Sequence, residues 1–256
     1  MKITLIQQDI IWADPRANRQ AFGSALLDCV DSDVCILPEM WSTGFCTAPD
    51  NLPAEEQEET LRWLQKMAEQ TDCAIVGSMA IQAKDGTWRN RLHFTRPHMQ
   101  QLFYDKHHLF TYGGEQLHYT AGQERLLVEW RGVRFMPLIC YDLRFPIWSR
   151  NRLSADREQA EYDVLIYIAS WPSSRAKAWK ALLTARAIEN QCYVCGVNRI
   201  GKDPLCSYSG GTVCIDPYGN VVAQAQDNEN GKAYIEIDMT MLRNFRKKFP
   251  VLQDRD

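Results

Sequence analysis

One arrangement of apolar runs occurs twice in this sequence, and it limits the folds that are open to the chain. Residues 33–36 and 74–77 are short apolar runs separated by a helix-like segment, and residues 163–166 and 193–196 repeat the arrangement. Continuous apolar runs that alternate with helices favour parallel strands buried on both faces. A further strand precedes each set, so the sequence predicts two similar β-α-β-α-β halves. We therefore expect two sheets packed together with helices outside.

The predicted elements alternate in the same way along the chain. Helices are predicted to begin at four places: Pro15, Ala54, Pro146 and Arg175. The last helix has an apolar face at helical spacing, formed by Trp179, Leu182, Leu183 and Ile188. The predicted strands are residues 2–8, 34–37, 74–81, 92–95, 101–105, 133–139, 164–169, 192–198, 211–215, 221–224 and 233–237, and residues 216–220 form a hairpin turn.

A cysteine at the end of one predicted strand is the first candidate for chemistry. Cys140 directly follows the strand 133–139, and Pro146 is a residue that can open a helix. Parallel strands bind ligands at their carboxyl ends, and α/β enzymes present nucleophiles at strand-to-helix turns. Cys140 is therefore a candidate nucleophile. The alternative for any single cysteine is an inert core thiol.

Two charged residues occur in the same kind of position. Glu39 follows the strand 34–37 after Pro38, which ends the strand because proline lacks a ladder donor. Its apolar neighbours remove water from the carboxylate, which suits it to proton transfer. Lys106 directly follows the strand 101–105. If each residue stood alone, a surface carboxylate and a solvated lysine would be the better interpretations.

Together the three motifs resemble the nitrilase, or carbon–nitrogen hydrolase, superfamily, whose members carry a Glu-Lys-Cys triad in this chain order. The flanking sequence matches as well, in residues 89–91, 186–191, 193–198, 209–212 and 216–219. The resemblance runs from residue 2 to about residue 238. Within the superfamily the chain is most similar to the omega-amidases, including the bacterial YafV type.

The resemblance implies a fold and a domain organisation. The expected fold is a four-layer αββα sandwich of two mixed sheets in one domain, residues 1–238. The C-terminal tail, residues 239–256, is expected at a subunit interface or in solvent. Because members of the superfamily usually form dimers or larger assemblies, we expect a homodimer or a higher homo-oligomer.

The three groups also predict a mechanism that needs no metal and no organic cofactor. Glu39 takes the proton of Cys140, and the thiolate attacks an amide carbonyl. Lys106 is expected to lower the pKa of the thiol and, with the backbone N–H of Tyr141, to stabilise the oxyanion. A thioester forms, and water releases the acid. Glu115 matches the second glutamate that orients the reacting groups in many superfamily members.

For the omega-amidases, the resemblance implies a small dicarboxylate monoamide as substrate, such as 2-oxoglutaramate or 2-oxosuccinamate. The far carboxylate of such a substrate needs a cationic or N–H-rich anchor. Arg144 and Arg175 are the candidates, since each lies in a loop near predicted strand ends, although ion pairing or solvent exposure explains them equally well. Trp171 and Phe45 are candidate walls of the pocket, or alternatively core residues.

The composition excludes several other classes. The net charge is −3 with both signs mixed along the chain, so nothing predicts binding to nucleic acid or to a membrane surface. The N-terminus lacks a signal-peptide pattern, and no run reaches transmembrane length, so a cytoplasmic location is expected. The nine cysteines are scattered in apolar runs and are expected to be reduced. Cys192 and Cys195 point to opposite faces of a strand, which is unsuited to one metal.

Other functions stay open at this point. Nitrile hydrolysis, N-carbamoyl hydrolysis and acyl transfer use the same three groups. A Cys-His thiol hydrolase would need an essential histidine and no Lys106, whereas the mechanism above leaves His107 and His108 as structural residues. A catalytically silent scaffold would keep the fold with an unreactive Cys140.

Overall fold

The computed structural model describes residues 1–29, 31–45, 49, 54–154 and 159–255. In this part of the chain, two six-stranded mixed sheets pack face to face and helices flank them. The four α-helices of the described residues are α1 (Pro15–Leu27), α2 (Ala54–Thr71), α3 (Ala176–Asn190) and α4 (Met239–Lys248). The predicted αββα sandwich is confirmed.

The first sheet has the order β14-β1-β2-β3-β4-β5, and β1, β2 and β3 are parallel. Its strands are β1 (Lys2–Gln7), β2 (Val34–Ile36), β3 (Ala74–Gln82), β4 (Trp88–Thr95), β5 (Leu102–Asp105) and β14 (Gly231–Glu236). The second sheet has the order β13-β12-β9-β8-β7-β6, and β7, β8 and β9 are parallel. Its strands are β6 (Val128–Trp130), β7 (Val133–Ile139), β8 (Val164–Ala169), β9 (Tyr193–Asn198), β12 (Val213–Ile215) and β13 (Val221–Gln224). A separate hairpin consists of β10 (Ile200–Lys202) and β11 (Ser207–Ser209).

The apolar runs are buried on both faces, as parallel strands require. The inner faces of the two sheets form the main core, in which Phe94 of β4 and Phe135 of β7 lie with ring centres 5.6 Å apart. The outer face of the first sheet packs on α1 and α2 through residues such as Phe22 and Leu64. Fully burying each such side chain contributes about 1.5–3 kcal/mol. The core therefore rigidly supports the strand ends at which the polar motifs lie.

Helix α1 begins where the sequence predicts it. The carboxylate of Asp14 accepts a hydrogen bond from the N–H of Ala17 (2.9 Å), and Pro15 occupies the first helical position, where its missing N–H has no cost. No helix of the described ranges is both long enough and apolar enough to cross a bilayer.

Two predictions about helices are wrong. No α-helix begins near Pro146, because residues Cys140–Arg144 form a short 3-10 helix and the chain then turns. Ile188 is not part of the buried face of α3 and is half exposed. It follows Trp179 by nine residues, which at 3.6 residues per turn places it on the opposite side of the helix. Arg186, Ala187 and Asn190 take inward positions instead.

The C-terminal segment packs on the domain through α4. The side chain of Asp238 accepts from the N–H of Met241 (2.8 Å) and caps the helix. Leu242 is fully buried in the main core cluster. The guanidinium of Arg246 donates to the carbonyl of Gln191 (2.9 Å) and to the carboxylate of Asp163 (2.8 Å). The role of residues 239–256 at a subunit interface stays a prediction.

Candidate active site

The ends of β2, β5 and β7 bring Glu39, Lys106 and Cys140 together. The ammonium Nζ of Lys106 lies 2.9 Å from Oε1 of Glu39, and both side chains are buried. Cys140 lines the same cavity as Glu39 and Lys106, and the charges of both act on its thiol. Three side chains that are far apart in the sequence therefore form one cluster at the carboxyl ends of strands from both sheets.

The position of Glu39 follows from how the chain leaves β2. The N–H of Leu37 still bonds to the carbonyl of Val76 (2.7 Å). Beyond Pro38, the N–H of Met40 donates to the hydroxyl of Ser78 (3.0 Å). This extension along β3 keeps the segment against the sheet, so the carboxylate is presented at the sheet edge and not in solvent.

Cys140 occupies a strained turn. Its φ is +44°, in the left-handed region that side chains other than glycine rarely adopt. The carboxylate of Asp142 holds the turn by accepting the N–H of Ile139 (3.1 Å). It also accepts from the hydroxyl of Tyr104 (2.8 Å) and the N–H of His108 (2.9 Å). Asp142 therefore connects the turn that carries Cys140 to the segment that carries Lys106.

A second carboxylate shares the ammonium group of Lys106. Glu115 is fully buried, and its two oxygens lie 3.1 and 2.9 Å from Nζ of Lys106. The backbone N–H of Phe110 donates to Oε2 of Glu115 (2.6 Å). The side-chain amide of Asn90 donates both to Glu39 Oε1 (2.8 Å) and to Glu115 Oε1 (3.1 Å). The sequence indicates residues 89–91 only as a stretch that resembles the superfamily, and Asn90 is not among the site residues predicted from it.

Burial and the two carboxylates determine the charge state of the cluster. Burial alone would lower the pKa of Lys106, but Glu115 and Glu39 raise it above its ordinary value, so the ammonium stays charged. Burial raises the pKa of Glu115, and Lys106 opposes this change. Burial and the nearby Glu39 raise the pKa of the Cys140 thiol well above its ordinary value, although Lys106 acts in the opposite direction as expected. These effects favour a neutral Cys140 thiol, which would need a base in order to react as a nucleophile.

The cluster lies at a cavity of about 250 Å³. Its lining includes every residue predicted from the sequence to contact substrate: Phe45, Arg144, Trp171 and Arg175. Tyr141 also lines it. The cavity is thus formed from the ends of both sheets, and the predicted residues lie within reach of one small ligand.

Both arginines of the cavity stack on aromatic rings. The guanidinium carbon of Arg144 lies 5.0 Å from the centre of the Trp171 ring, and that of Arg175 lies 5.2 Å from the centre of the Phe110 ring. Within the described ranges, neither guanidinium forms an ion pair with a carboxylate. Their N–H groups are therefore available to an anionic ligand.

The structure adds wall residues that the sequence did not indicate. Ser170 follows β8, and its N–H donates to Oε2 of Glu39 (2.8 Å). The hairpin of β10 and β11 contributes Asp203 and Tyr208, whose hydroxyl donates to the Asp203 carboxylate (2.5 Å). The strands of this hairpin have only three residues each, so they gave no apolar pattern to recognise.

The other cysteines and the acidic residues of the described ranges are candidate ligands of a metal ion, and the cysteines are candidate disulfide partners. The eight described cysteines are all free thiols, and Cys46 lies outside the described residues. Among the residues that the structure describes, no group of three or more His, Cys, Asp and Glu side chains is arranged to hold a metal ion.

Comparison with known proteins gives consistent matches over the whole chain. The model of the carbon–nitrogen hydrolase family matches residues 2–247. Omega-amidase YafV of Escherichia coli K12 is 44% identical, and the match covers 100% of this chain and 97% of that protein. The 2-oxoglutaramate amidase of Bacillus subtilis is 36% identical over 98% of this chain and 96% of that protein. The crystal structure of XC1258 from Xanthomonas campestris, described as a CN-hydrolase superfamily protein with an arsenic adduct in its active site, superposes with a TM-score of 0.92. Its sequence identity is 38%, and the match covers 100% of this chain and 97% of that one.

Proposed function

Because the chain belongs to the carbon–nitrogen hydrolase family, we propose that it is an omega-amidase. Its substrate is a small dicarboxylate monoamide such as 2-oxoglutaramate or 2-oxosuccinamate, and its products are ammonia and the corresponding diacid. One observation carries the proposal. The cluster of Glu39, Lys106 and Cys140 lies at a small cavity whose wall presents two guanidinium groups, and neither has an ion-pair partner among the described residues.

In the first half of the reaction, Glu39 acts as general base. It accepts the proton of the Cys140 thiol while the sulfur forms a bond to the amide carbonyl carbon. The carbonyl oxygen becomes an oxyanion, which the Lys106 ammonium and the backbone N–H of Tyr141 stabilise. Loss of one such donor typically costs about 2.7–4 kcal/mol of transition-state stabilisation. Glu115 keeps Lys106 charged and in place through its two short contacts.

In the second half, Glu39 returns the proton to the leaving nitrogen as the C–N bond breaks, and ammonia departs. A thioester with Cys140 remains. Glu39 then takes a proton from water, the resulting hydroxide attacks the thioester carbon, and the C–S bond breaks. The proton on Glu39 passes to the sulfur, which restores the neutral thiol that the electrostatics of the resting site favour.

The cavity explains the preference for a short, doubly functional substrate. Its volume of about 250 Å³ is below the usual range for drug-sized ligands, roughly 300–1,000 Å³. Arg144 and Arg175 bind the far carboxylate through guanidinium N–H groups, while Trp171 and Phe45 enclose the carbon chain.

The Cys-His alternative finds little support in this site. No histidine of the described residues lines the cavity. Nδ1 of His107 lies 2.6 Å from the carbonyl of Gly122, and Nδ1 of His108 lies 2.8 Å from the carboxylate of Asp142. The cytoplasmic location and the homodimer or higher homo-oligomer stay predictions.

The test is ammonia release from 2-oxoglutaramate, 2-oxosuccinamate, glutamine, asparagine, an aliphatic nitrile and an N-carbamoyl amino acid. We expect a strong preference for the two keto-amides, which Cys140→Ala abolishes. Cys214→Ala, which removes a buried thiol of the second sheet, is the matched control and should keep activity. Equal or greater activity on the nitrile or carbamoyl compound would refute the substrate assignment. Activity that survives in Cys140→Ala would refute the mechanism.

A further inference from the structure

Asn90 is a buried polar residue that contacts the reacting cluster without lining the cavity. It lies in β4 and is 1% exposed. Its backbone carbonyl accepts the N–H of Lys106 (2.9 Å), so the pairing of β4 with β5 places residue 90 beside the lysine. Because Asn90 is absent from the cavity wall, it has no route to the substrate.

The contacts of its side chain determine the orientation of the amide. Nδ2 donates to Glu39 Oε1 (2.8 Å) and to Glu115 Oε1 (3.1 Å). An ionised carboxylate only accepts hydrogen bonds, so the reversed amide would place oxygen against oxygen. In the adopted orientation, the side-chain oxygen of Asn90 has no hydrogen-bond partner in the described part of the chain. A buried acceptor without a partner is unfavourable, and the two bonds made by Nδ2 compensate for it.

The cluster needs such a donor because its charges are unbalanced. Two carboxylates, Glu39 and Glu115, share the single ammonium of Lys106, and the Cys140 thiol is the fourth titratable group that faces them. Two neighbouring carboxylates disfavour each other's ionised form. An amide adds two N–H groups without adding charge, so it stabilises both carboxylates and leaves the field on the thiol unchanged.

We infer that Asn90 is a positioning residue: its amide holds Glu39 and Glu115 side by side against Lys106 and makes Oε2 of Glu39 the oxygen that takes the thiol proton. Oε1 of Glu39 already accepts two hydrogen bonds, from Lys106 and Asn90, which occupy both of its lone pairs. Among the residues that the structure describes, Oε2 accepts the N–H of Ser170 alone, so one of its lone pairs stays open for the thiol proton. The inference rests on the proposed roles of Glu39 and Cys140.

The test compares Asn90→Ala and Asn90→Asp with wild type and with Asn151→Ala. Asn151 is the matched control, since it is also 1% exposed and its Nδ2 also donates two bonds, to the carbonyls of Tyr162 (3.0 Å) and Asn190 (3.1 Å). In Asn90→Ala, the acid limb of the pH profile of kcat/KM should move up by about one pH unit, because an ionised carboxylate loses a donor. Asn90→Asp adds a third carboxylate to the cluster, so the acid limb of its kcat/KM profile should move to a higher pH than that of Asn90→Ala. KM should stay within about twofold, since no contact with substrate is lost.

A second readout needs no natural substrate. The rate at which iodoacetamide alkylates Cys140, followed by intact mass, should show the same upward shift of its acid limb in Asn90→Ala. If the wild type releases no ammonia from any amide but this shift occurs, the proposed function fails and the role of Asn90 stands. The inference is overturned if Asn90→Ala keeps the wild-type pH profile in both readouts and loses only the thermal stability that Asn151→Ala also loses. If Asn90→Ala does not fold, Asn90→Ser, which retains one hydroxyl donor, takes its place in the same comparison.

Discussion

His93 offers a prediction whose size can be worked out from its surroundings. This residue lies on β4, is 5% exposed, and neither ring nitrogen has a hydrogen-bond partner in the described residues. Burial, with a smaller contribution from the charge of Arg91, lowers the pKa of His93 from 6.5 to about 3. In the unfolded chain the imidazole regains its ordinary pKa. At pH values between about 3 and 6.5, His93 is therefore protonated in the unfolded chain and neutral in the folded protein.

The folded protein therefore loses stability as the pH falls from 6.5 towards 3. Each pH unit costs about 1.4 kcal/mol, so at pH 4.5 His93 lowers the free energy of unfolding by about 3 kcal/mol relative to neutral pH. Replacing His93 with Phe removes this contribution and keeps a ring in the site. Because all carboxylates are common to both proteins, their titration cancels in the comparison.

The assay is urea unfolding of wild type and His93→Phe at pH 7.5 and pH 4.5. The free energy of unfolding of the variant, relative to that of wild type, should be higher at pH 4.5 than at pH 7.5 by about 3 kcal/mol. A pH-independent difference in stability between the two proteins does not affect this comparison. His98→Asn, at a histidine whose side chain is 78% exposed, should show almost no such change. If wild type and His93→Phe lose the same stability between the two pH values, the buried neutral imidazole does not exist and the reasoning fails.

The remaining predictions concern catalysis. Arg175→Gln should raise KM for 2-oxoglutaramate by about 10- to 100-fold with little change in kcat, because one charged hydrogen bond to the far carboxylate is lost. With an uncharged primary amide of similar length, Arg175→Gln should release ammonia at almost the wild-type rate. Lys177→Gln, at an exposed lysine of α3, is the control for the change in net charge. If Arg175→Gln loses equal activity on both amides, the anchoring role is contradicted. Glu39→Gln should lower kcat/KM by about 10²- to 10⁴-fold, since burial raises the pKa of the Cys140 thiol and the variant lacks the proposed acceptor of its proton. Retention of activity within about tenfold of wild type would show that another base serves.

Much of the fold could be predicted because its strands are continuous apolar runs. The strands that end at Ile139 and Ala169 have the boundaries that the sequence predicts. The prediction of a helix at Pro146 was wrong because a proline is compatible with the start of a helix but does not require one. The bonds of Asp142 that close the turn after Cys140 depend on Tyr104 and His108, which come from another part of the chain. Long-range contacts of this kind leave no local pattern.

In the candidate site, too, residues marked by a local sequence pattern could be predicted, and residues placed by long-range contacts could not. Glu39, Lys106 and Cys140 could be selected because each follows a predicted strand, and because the three motifs in this chain order resemble those of the nitrilase superfamily. Asn90 and Tyr208 could not, because the role of Asn90 depends on the register of β4 against β5, and Tyr208 reaches the cavity from the short β10–β11 hairpin. The roles of all these residues stay predictions until the variants are measured.

The placement of β1 between β14 and β2 has a consequence for synthesis on the ribosome. Of the strands that the structure describes, β1 is synthesised first, whereas its antiparallel neighbour β14 ends at Glu236 and is synthesised last. Until then, a nascent chain has an unpaired edge along β1, a strand whose residues are almost all buried in the finished protein. Unpaired apolar edges invite intermolecular pairing. Premature stop codons shortly before residue 231 should therefore yield aggregating fragments and not partly active enzymes, even though the reacting side chains have already been made.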